Sequence, residues 1–266
     1  MINNNSAGLT KDLWAAVLRY ELVGILGWHD VRQRYKRSTM GPFWLTISMG
    51  ITIGVIGFVF SQIYQSTVRQ YLPFLAIGMI LWTFFVTTIN EGCLSFISAD
   101  LIIKQLPIPL FVHVLRIIWR NIIILAHNAI IYILVLIVFQ KSISWNALLF
   151  VPGFILLVLN LTWLSLLLAI LSTRYRDLPQ IINSLLQVFF YLTPIMWMPQ
   201  LLESSHSLAV LELNPLYHLF EVIREPLLGK IPKSESWLVC VGICLFGWLA
   251  ALLFYARYRL RITYWL

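Results

Sequence analysis

Residues Arg34 to Trp44 read RYKRSTMGPFW, and with Arg32 they place four Lys/Arg within six residues, directly before an apolar stretch that begins at Phe43. Basic residues packed against a long hydrophobic run mark the cytoplasmic end of a membrane span. The composition points the same way, with 60% of the 266 residues hydrophobic and 11% charged, against about 25% charged in a typical soluble domain. The chain reads as an integral membrane protein. Its net charge of +8 lies beside hydrophobic runs rather than along one polar face. That placement favours topology-setting charge facing anionic lipid and argues against nucleic acid as a partner.

A span needs about 20 mostly apolar residues to cross the hydrocarbon core, and six segments qualify: roughly 43–64, 72–94, 117–139, 148–171, 181–198 and 237–255. Pro194 lies in the fifth, where it removes a helical hydrogen bond and predicts a break. Ahead of them, residues 10–37 predict an amphipathic helix in the membrane interface. Thr10 would cap it, with Leu13, Val17, Tyr20 and Gly24 on one stripe opposite Lys11, Asp12, Arg19 and Glu21. Met1 to Gly8 is polar and Asn-rich and has none of the features of a signal peptide. No repeat or low-complexity linker divides the chain, so residues 1–266 predict one all-α membrane domain. With six spans, all Lys/Arg but Arg69, Lys141, Arg224, Lys230 and Lys233 fall on the side of the two termini, which predicts that both are cytoplasmic.

The middle of every predicted span is free of formal charge, whereas ion-driven transporters place ionisable groups there. Glu91 reads as a helix-end carboxylate within reach of Lys104. His127, near Asn121 and Asn128, reads as an interhelical hydrogen-bonding group. Cys93, Cys240 and Cys244 lie in or beside apolar segments without ligand spacing, so neither a disulfide framework nor a metal site is expected. The chain has no GxxxxGK[ST], no GxGxxG after a strand and no HExxH. Its driving force is therefore expected from a partner. One GxxxG, Gly50 to Gly54, offers a weak signal for close helix approach.

Three connections carry more than turn chemistry. In SADLIIKQLPIPLFVHVLRIIWRN, a short amphipathic piece from Ser98 to Leu106 is halted by Pro107 and Pro109, with Ile102 and Ile103 beside Lys104. This is either a docking knob or an interfacial turn. In STRYRDLPQ, Asp177 precedes Leu178 and Pro179 as a candidate N-cap. Between residues 199 and 236, Asn214 and Pro215 form an N-cap and N1 pair, and Leu216, Leu219, Phe220 and Ile223 share one helical face. A short helix at or dipping into the outer interface follows.

Four stretches, in order along nearly the whole chain, carry a family resemblance: RYKRSTMGPFWLTIS, IIKQLPIPLFVHVLRIIWRN with AHN following, RYRDLPQIINSLLQVFFYLTPIMW, and NPLYHLFEVIREPLLG. The sequence resembles the membrane subunit of an ABC type-2 exporter of polysaccharides, the family that moves lipid-linked O-antigen, capsule-like glycans or teichoic acid. It departs at Thr46 to Gly50, where many members carry a proline. The resemblance implies an interfacial helix, six spans, and short outer gate helices between the last two. It also implies a homodimer in the bacterial inner membrane, with two copies of a cytoplasmic ATPase that bind ATP and magnesium; this chain would be a permease subunit without cofactor or catalysis. By position, Arg34, Tyr35, Lys36 and Arg37, with Arg174 and Arg176, would meet the pyrophosphate of a polyprenyl-linked glycan. Leu101, Ile102, Ile103, Lys104 and Pro107 would couple to the ATPase, and Asn214, Pro215, Tyr217 and Phe220 would form the outer gate. Trp44, Phe60, Tyr64, Trp82, Phe85 and Tyr191 are candidates for the glycan path. An exporter of small amphiphiles or drugs with the same architecture is the competing reading.

Overall fold

The computed structural model describes residues 12–36, 43–199 and 211–266, and among these the chain is helix and connecting turn, with no strand. Arg37 and the expected cap Thr10 lie outside the described residues, as does the Tyr35 side chain. Helical residues 12–18 lead into α1 (Tyr20–Tyr35), followed by α2 (Phe43–Ile63), α3 (Val68–Cys93), α4 (Asp100–Gln105), α5 (Leu110–Val138), α6 (Phe150–Arg174), α7 (Leu178–Leu192), α8 (Pro215–Leu227) and α9 (Ser234–Trp265). Among the described residues, five helices have the length and hydropathy to cross a membrane: α2, α3, α5, α6 with the turn before it, and α9. The shortest, 21 residues, reaches about 32 Å at 1.5 Å per residue, enough for a hydrocarbon core of about 30 Å. The protein is a multi-pass membrane protein.

The fifth expected span, 181–198, is shorter than its sequence implied. α7 has 15 residues and stops at Leu192, so it reaches only about 22 Å. Thr193 is extended, and Pro194 after it has no N–H with which to continue the ladder. Two other boundaries move in the opposite direction. α5 begins at Leu110, which puts Arg116 and Arg120 inside its first three turns, and α9 runs on to Trp265, carrying Arg257, Arg259 and Arg261 on helix.

The spanning helices form one bundle in which α9 packs along α6, α3 lies between α5 and α6, and α2 rests on α3 and α5. α1 packs on α5, leaving part of the expected apolar stripe on the outside. Val17 and Tyr20 are exposed, and the buried residues are Ala16, Val23, Gly27, Asp30 and Val31. Tyr255 of α9 donates a hydrogen bond to Asp12, which ties the N-terminal segment to the same end of the bundle.

α8 is inserted at the opposite end. The Asn214 side chain accepts a hydrogen bond from the Leu216 N–H at 3.0 Å and Pro215 follows at N1, the local chemistry that starts a helix. Every residue from Leu216 to Arg224 is buried, against α3, α6, α9 and the turn Trp145–Leu149. Gly153 makes that depth possible, because a Cβ there would stand 2.9 Å from the Val222 carbonyl oxygen. Among the described residues this is the only helix between α7 and α9 long enough to plug the bundle; the sequence reading of several gate helices is not confirmed.

Candidate functional site

At the end where α1, α4 and the start of α5 meet, three arginines and two carboxylates converge. Arg116 grips Asp30 with its guanidinium fork, the Nε donating at 2.5 Å. Arg120 donates to Asp30 at 3.3 Å and to Glu91 at 2.5 Å, bridging α1 to α3. Arg34 donates to the other Glu91 oxygen at 2.8 Å, and Asn121 to Glu91 at 2.7 Å. Arg116 and Arg120 stand one helical turn apart, so they share a face of α5. Asp30 is nearly buried at 7% side-chain exposure, and its charge is tolerated because two guanidiniums satisfy it.

The cluster has one more positive than negative charge and opens on a cavity of about 290 Å³. Both ring nitrogens of His113, the Ser95 hydroxyl and the Arg120 Nε are buried there without a hydrogen-bond partner among the described residues. Arg34 is the exposed arm of the network at 46% side-chain exposure, and Arg32 and Lys36 beside it are exposed as well. The arrangement can receive an anionic oxygen-rich group: Arg34 is free to swing from Glu91, while Arg116 and Arg120 hold their places.

Glu91 therefore pairs across the fold with Arg34 and Arg120, and Lys104 pairs instead with Asp100 one turn away at 2.8 Å. His127 hydrogen-bonds the Ile123 carbonyl of its own helix and meets the Phe43 ring edge-on, rather than bonding another helix. Arg174 and Arg176 do not join the cluster. Arg174 lies over the Trp265 ring and Arg176 donates to the Trp265 carbonyl, pinning α6 to the end of α9.

α4 projects from the same end of the molecule. Leu101 is 71% exposed and Leu106 52%, Lys104 and Pro107 are exposed, and Ile102 is half-buried. Ile103 turns inward onto the core shared by α1, α5 and α9. The apolar knob is thus Leu101 with Leu106 rather than the isoleucine pair.

The six aromatic residues expected along a glycan path fall in separate places. Trp82 and Phe85 are buried, stacked on each other and against Phe220. Phe60 and Tyr64 cluster with Tyr71 between α2 and α3, and Trp44 is exposed on α2. Trp82 and Tyr191 line one cleft, of about 280 Å³, together with Asn183 and Gln187. That cleft belongs to a stripe that aromatic spacing alone missed. Gln180, Asn183, Ser184, Gln187 and Tyr191 recur at helical spacing on the exposed face of α7, while Leu186, Ile182 and Phe189 pack inward. Asn90 of α3 donates to Asn183 at 3.3 Å, extending this uncharged polar surface onto the bundle.

At the far end, Tyr217 and Phe220 lie on buried α8, where Arg224 is 1% exposed. Arg224 donates to the Pro194 carbonyl at 2.5 Å and sits 4.1 Å from the centroid of the Phe74 ring. Glu221 accepts a hydrogen bond from Ser236, which also contacts His218 at 2.8 Å.

The ABC-2 type transporter family matches residues 21–228. An O-antigen export system permease protein RfbA from Myxococcus xanthus is 23% identical over 234 residues, covering 86% of this chain and 89% of the relative. Two O-antigen export system permease proteins RfbA from Klebsiella pneumoniae are each 24% identical, over 74% and 81% of this chain and 76% and 83% of the relatives.

Proposed function

The chain belongs to the ABC-2 type transporter family, and from that premise we propose that it is the membrane subunit of an exporter for polyprenyl-pyrophosphate-linked polysaccharide, with O-antigen-type glycan as cargo. The observation that carries this reading is the cluster of Arg34, Arg116 and Arg120 around Asp30 and Glu91, open to a cavity and ringed by further basic residues. A pyrophosphate presents oxygens that guanidinium forks recognise. Arg34 would leave Glu91 for the phosphate, and Arg32 and Lys36 would add attraction at the membrane surface.

The glycan itself is fed along uncharged polar and aromatic side chains. The α7 stripe of Gln180, Asn183, Gln187 and Tyr191, with Asn90 and Trp82 beside it, has that chemistry. This stripe faces outward from a single copy, so the pathway is completed by a second copy across α7, giving a homodimer. Leu101 and Leu106 on α4 dock a separate cytoplasmic ATPase, which binds ATP and magnesium and drives the cycle. In this reading α1, α4 and both termini face the cytoplasm of a bacterial inner membrane, which the basic residues at that end support. α8, at the other end, is the outer gate.

The test is deletion of the gene in its host, complemented by the unaltered chain or by Arg34→Glu, with surface glycan and polyprenyl-linked glycan quantified together. The expected result is loss of surface polymer with accumulation of full-length lipid-linked polymer, restored by the unaltered chain but not by the variant. Unchanged pools in the deletion, with stimulation of the purified complex by small amphiphiles, would replace polysaccharide with an amphiphile as the cargo.

A further inference from the structure

Two cavities away from the ionic cluster share a wall, and their linings differ in kind. The first, about 430 Å³, lies at the end where α5 and α8 terminate and is lined by Lys141, Lys230, Glu225, Gln70, Ser66 and Ser142 among others. The second, about 330 Å³, is a slot between α3, α5 and α6, walled almost wholly by apolar side chains such as Ile77, Ile80, Ile122, Ala126, Ala129 and Phe154. Tyr132 and Leu227 line both, and the Tyr132 hydroxyl donates to the Leu227 carbonyl at 2.6 Å. A chamber of mixed lining that carries the charged groups thus adjoins an apolar slot.

We propose that these two cavities form one binding site for an anionic phospholipid drawn from the leaflet that meets this end of the bundle. Depth supports it: from Ile122 to Ile133, both in the slot, α5 rises about 16 Å, against about 15 Å for half of the hydrocarbon core. One acyl chain therefore fits the slot lengthwise while its headgroup reaches the level of Lys141, just beyond the end of α5. Charge supports it as well. Lys230 stands 3.7 Å from Glu225, and Lys141 has no carboxylate within 4 Å among the described residues, so the chamber carries one net positive charge. That suits a single phosphate diester; the additional charge of a pyrophosphate would face Glu225. The site would fill the gap between α3, α5 and α6 with a resident lipid, separate from the cargo route along α7.

The purified protein, reconstituted in nanodiscs containing equal amounts of phosphatidylglycerol and phosphatidylcholine and then released gently, is examined by native mass spectrometry for retained lipid. Phosphatidylglycerol is expected to be retained in preference, with each of Lys141→Gln and Lys230→Gln lowering that preference about five-fold. Ala126→Phe combined with Ala129→Phe, which fills the slot, is expected to lose the bound lipid, while Ile155→Phe on an exposed face of α6 retains it. Should the slot-filling variant fail to fold, Glu225→Gln decides, since removing the chamber's one acid should raise the preference. An unchanged lipid ratio in both lysine variants overturns the site and leaves annular lipid only. Loss of the preference in excess inorganic phosphate, with no lipid retained, would overturn it in favour of a free-anion site.

Discussion

Charged side chains occupy both ends of the molecule, but they are held in opposite ways. At the α1 end, three guanidiniums and two carboxylates form a linked network that ranges from nearly buried Asp30 to half-exposed Arg34. At the α8 end, Arg224 is fully enclosed, held by one carbonyl and one ring face, while Glu221 is enclosed with Ser236 and His218. A network with an exposed arm can trade one partner for a ligand at small cost, because water and neighbouring charges screen the exchange. A charge enclosed against backbone has no such freedom, and removing it leaves the surrounding groups unsatisfied. The ionic cluster leaves an exposed arm that a ligand could engage, whereas Arg224 and Glu221 are locked into the packing of α8.

The sharpest way to break this contrast is Arg224→Ala. It removes a charged hydrogen bond to a buried carbonyl and a desolvated cation–π contact, so a loss of about 3–5 kcal/mol is expected, read as collapse of the thermal midpoint or of folded yield. Asp30→Asn should cost less, about 1.5–3 kcal/mol, because Arg116 and Arg120 lose a charged acceptor but keep access to water; the same thermal measurement checks it. Arg34→Glu should change stability by no more than about 1 kcal/mol while surface glycan in the complemented deletion strain falls at least ten-fold. If Arg34→Glu destabilises as much as Arg224→Ala, the two ends are not distinct. The smallest effect is expected from Gln187→Ala, within about 0.5 kcal/mol in stability, with export reduced about two- to three-fold and the ionic cluster untouched.

The sequence made five of the six expected spans legible because long apolar runs leave few alternatives, and it made the start of α8 legible because Asn214 and Pro215 are adjacent in the chain. It failed where partners are distant. Lys104 is thirteen positions from Glu91, but the residues that hold Glu91 are Arg34 and Arg120, 57 and 29 positions away, a pairing no local spacing reveals. The face of α1 that packs on α5 was not legible for another reason. Its contact with α5 needs a small residue, Gly27, where a hydrophobicity stripe selects Val17 and Tyr20; a Cβ on Gly27 would stand 2.7 Å from the Trp119 ring. The polar stripe of α7 is readable in principle at Gln180, Asn183 and Gln187, but uncharged amides at helical spacing in an apolar run stand out less than aromatics do.

α4 and the ionic cluster are parts of one continuous piece of chain. Beyond Gln105, two prolines stiffen the short link into α5, and Arg116 and Arg120 follow within three turns of helix. α5 is a rod of 29 residues, and a rod moves as a unit. A push delivered at Leu101 would therefore reach both guanidiniums with little slack and change their hold on Asp30 and Glu91 together. In mechanical terms the connection is a short crank: the surface that would receive a motor's stroke and the jaws that would grip a phosphate are opposite ends of the same lever.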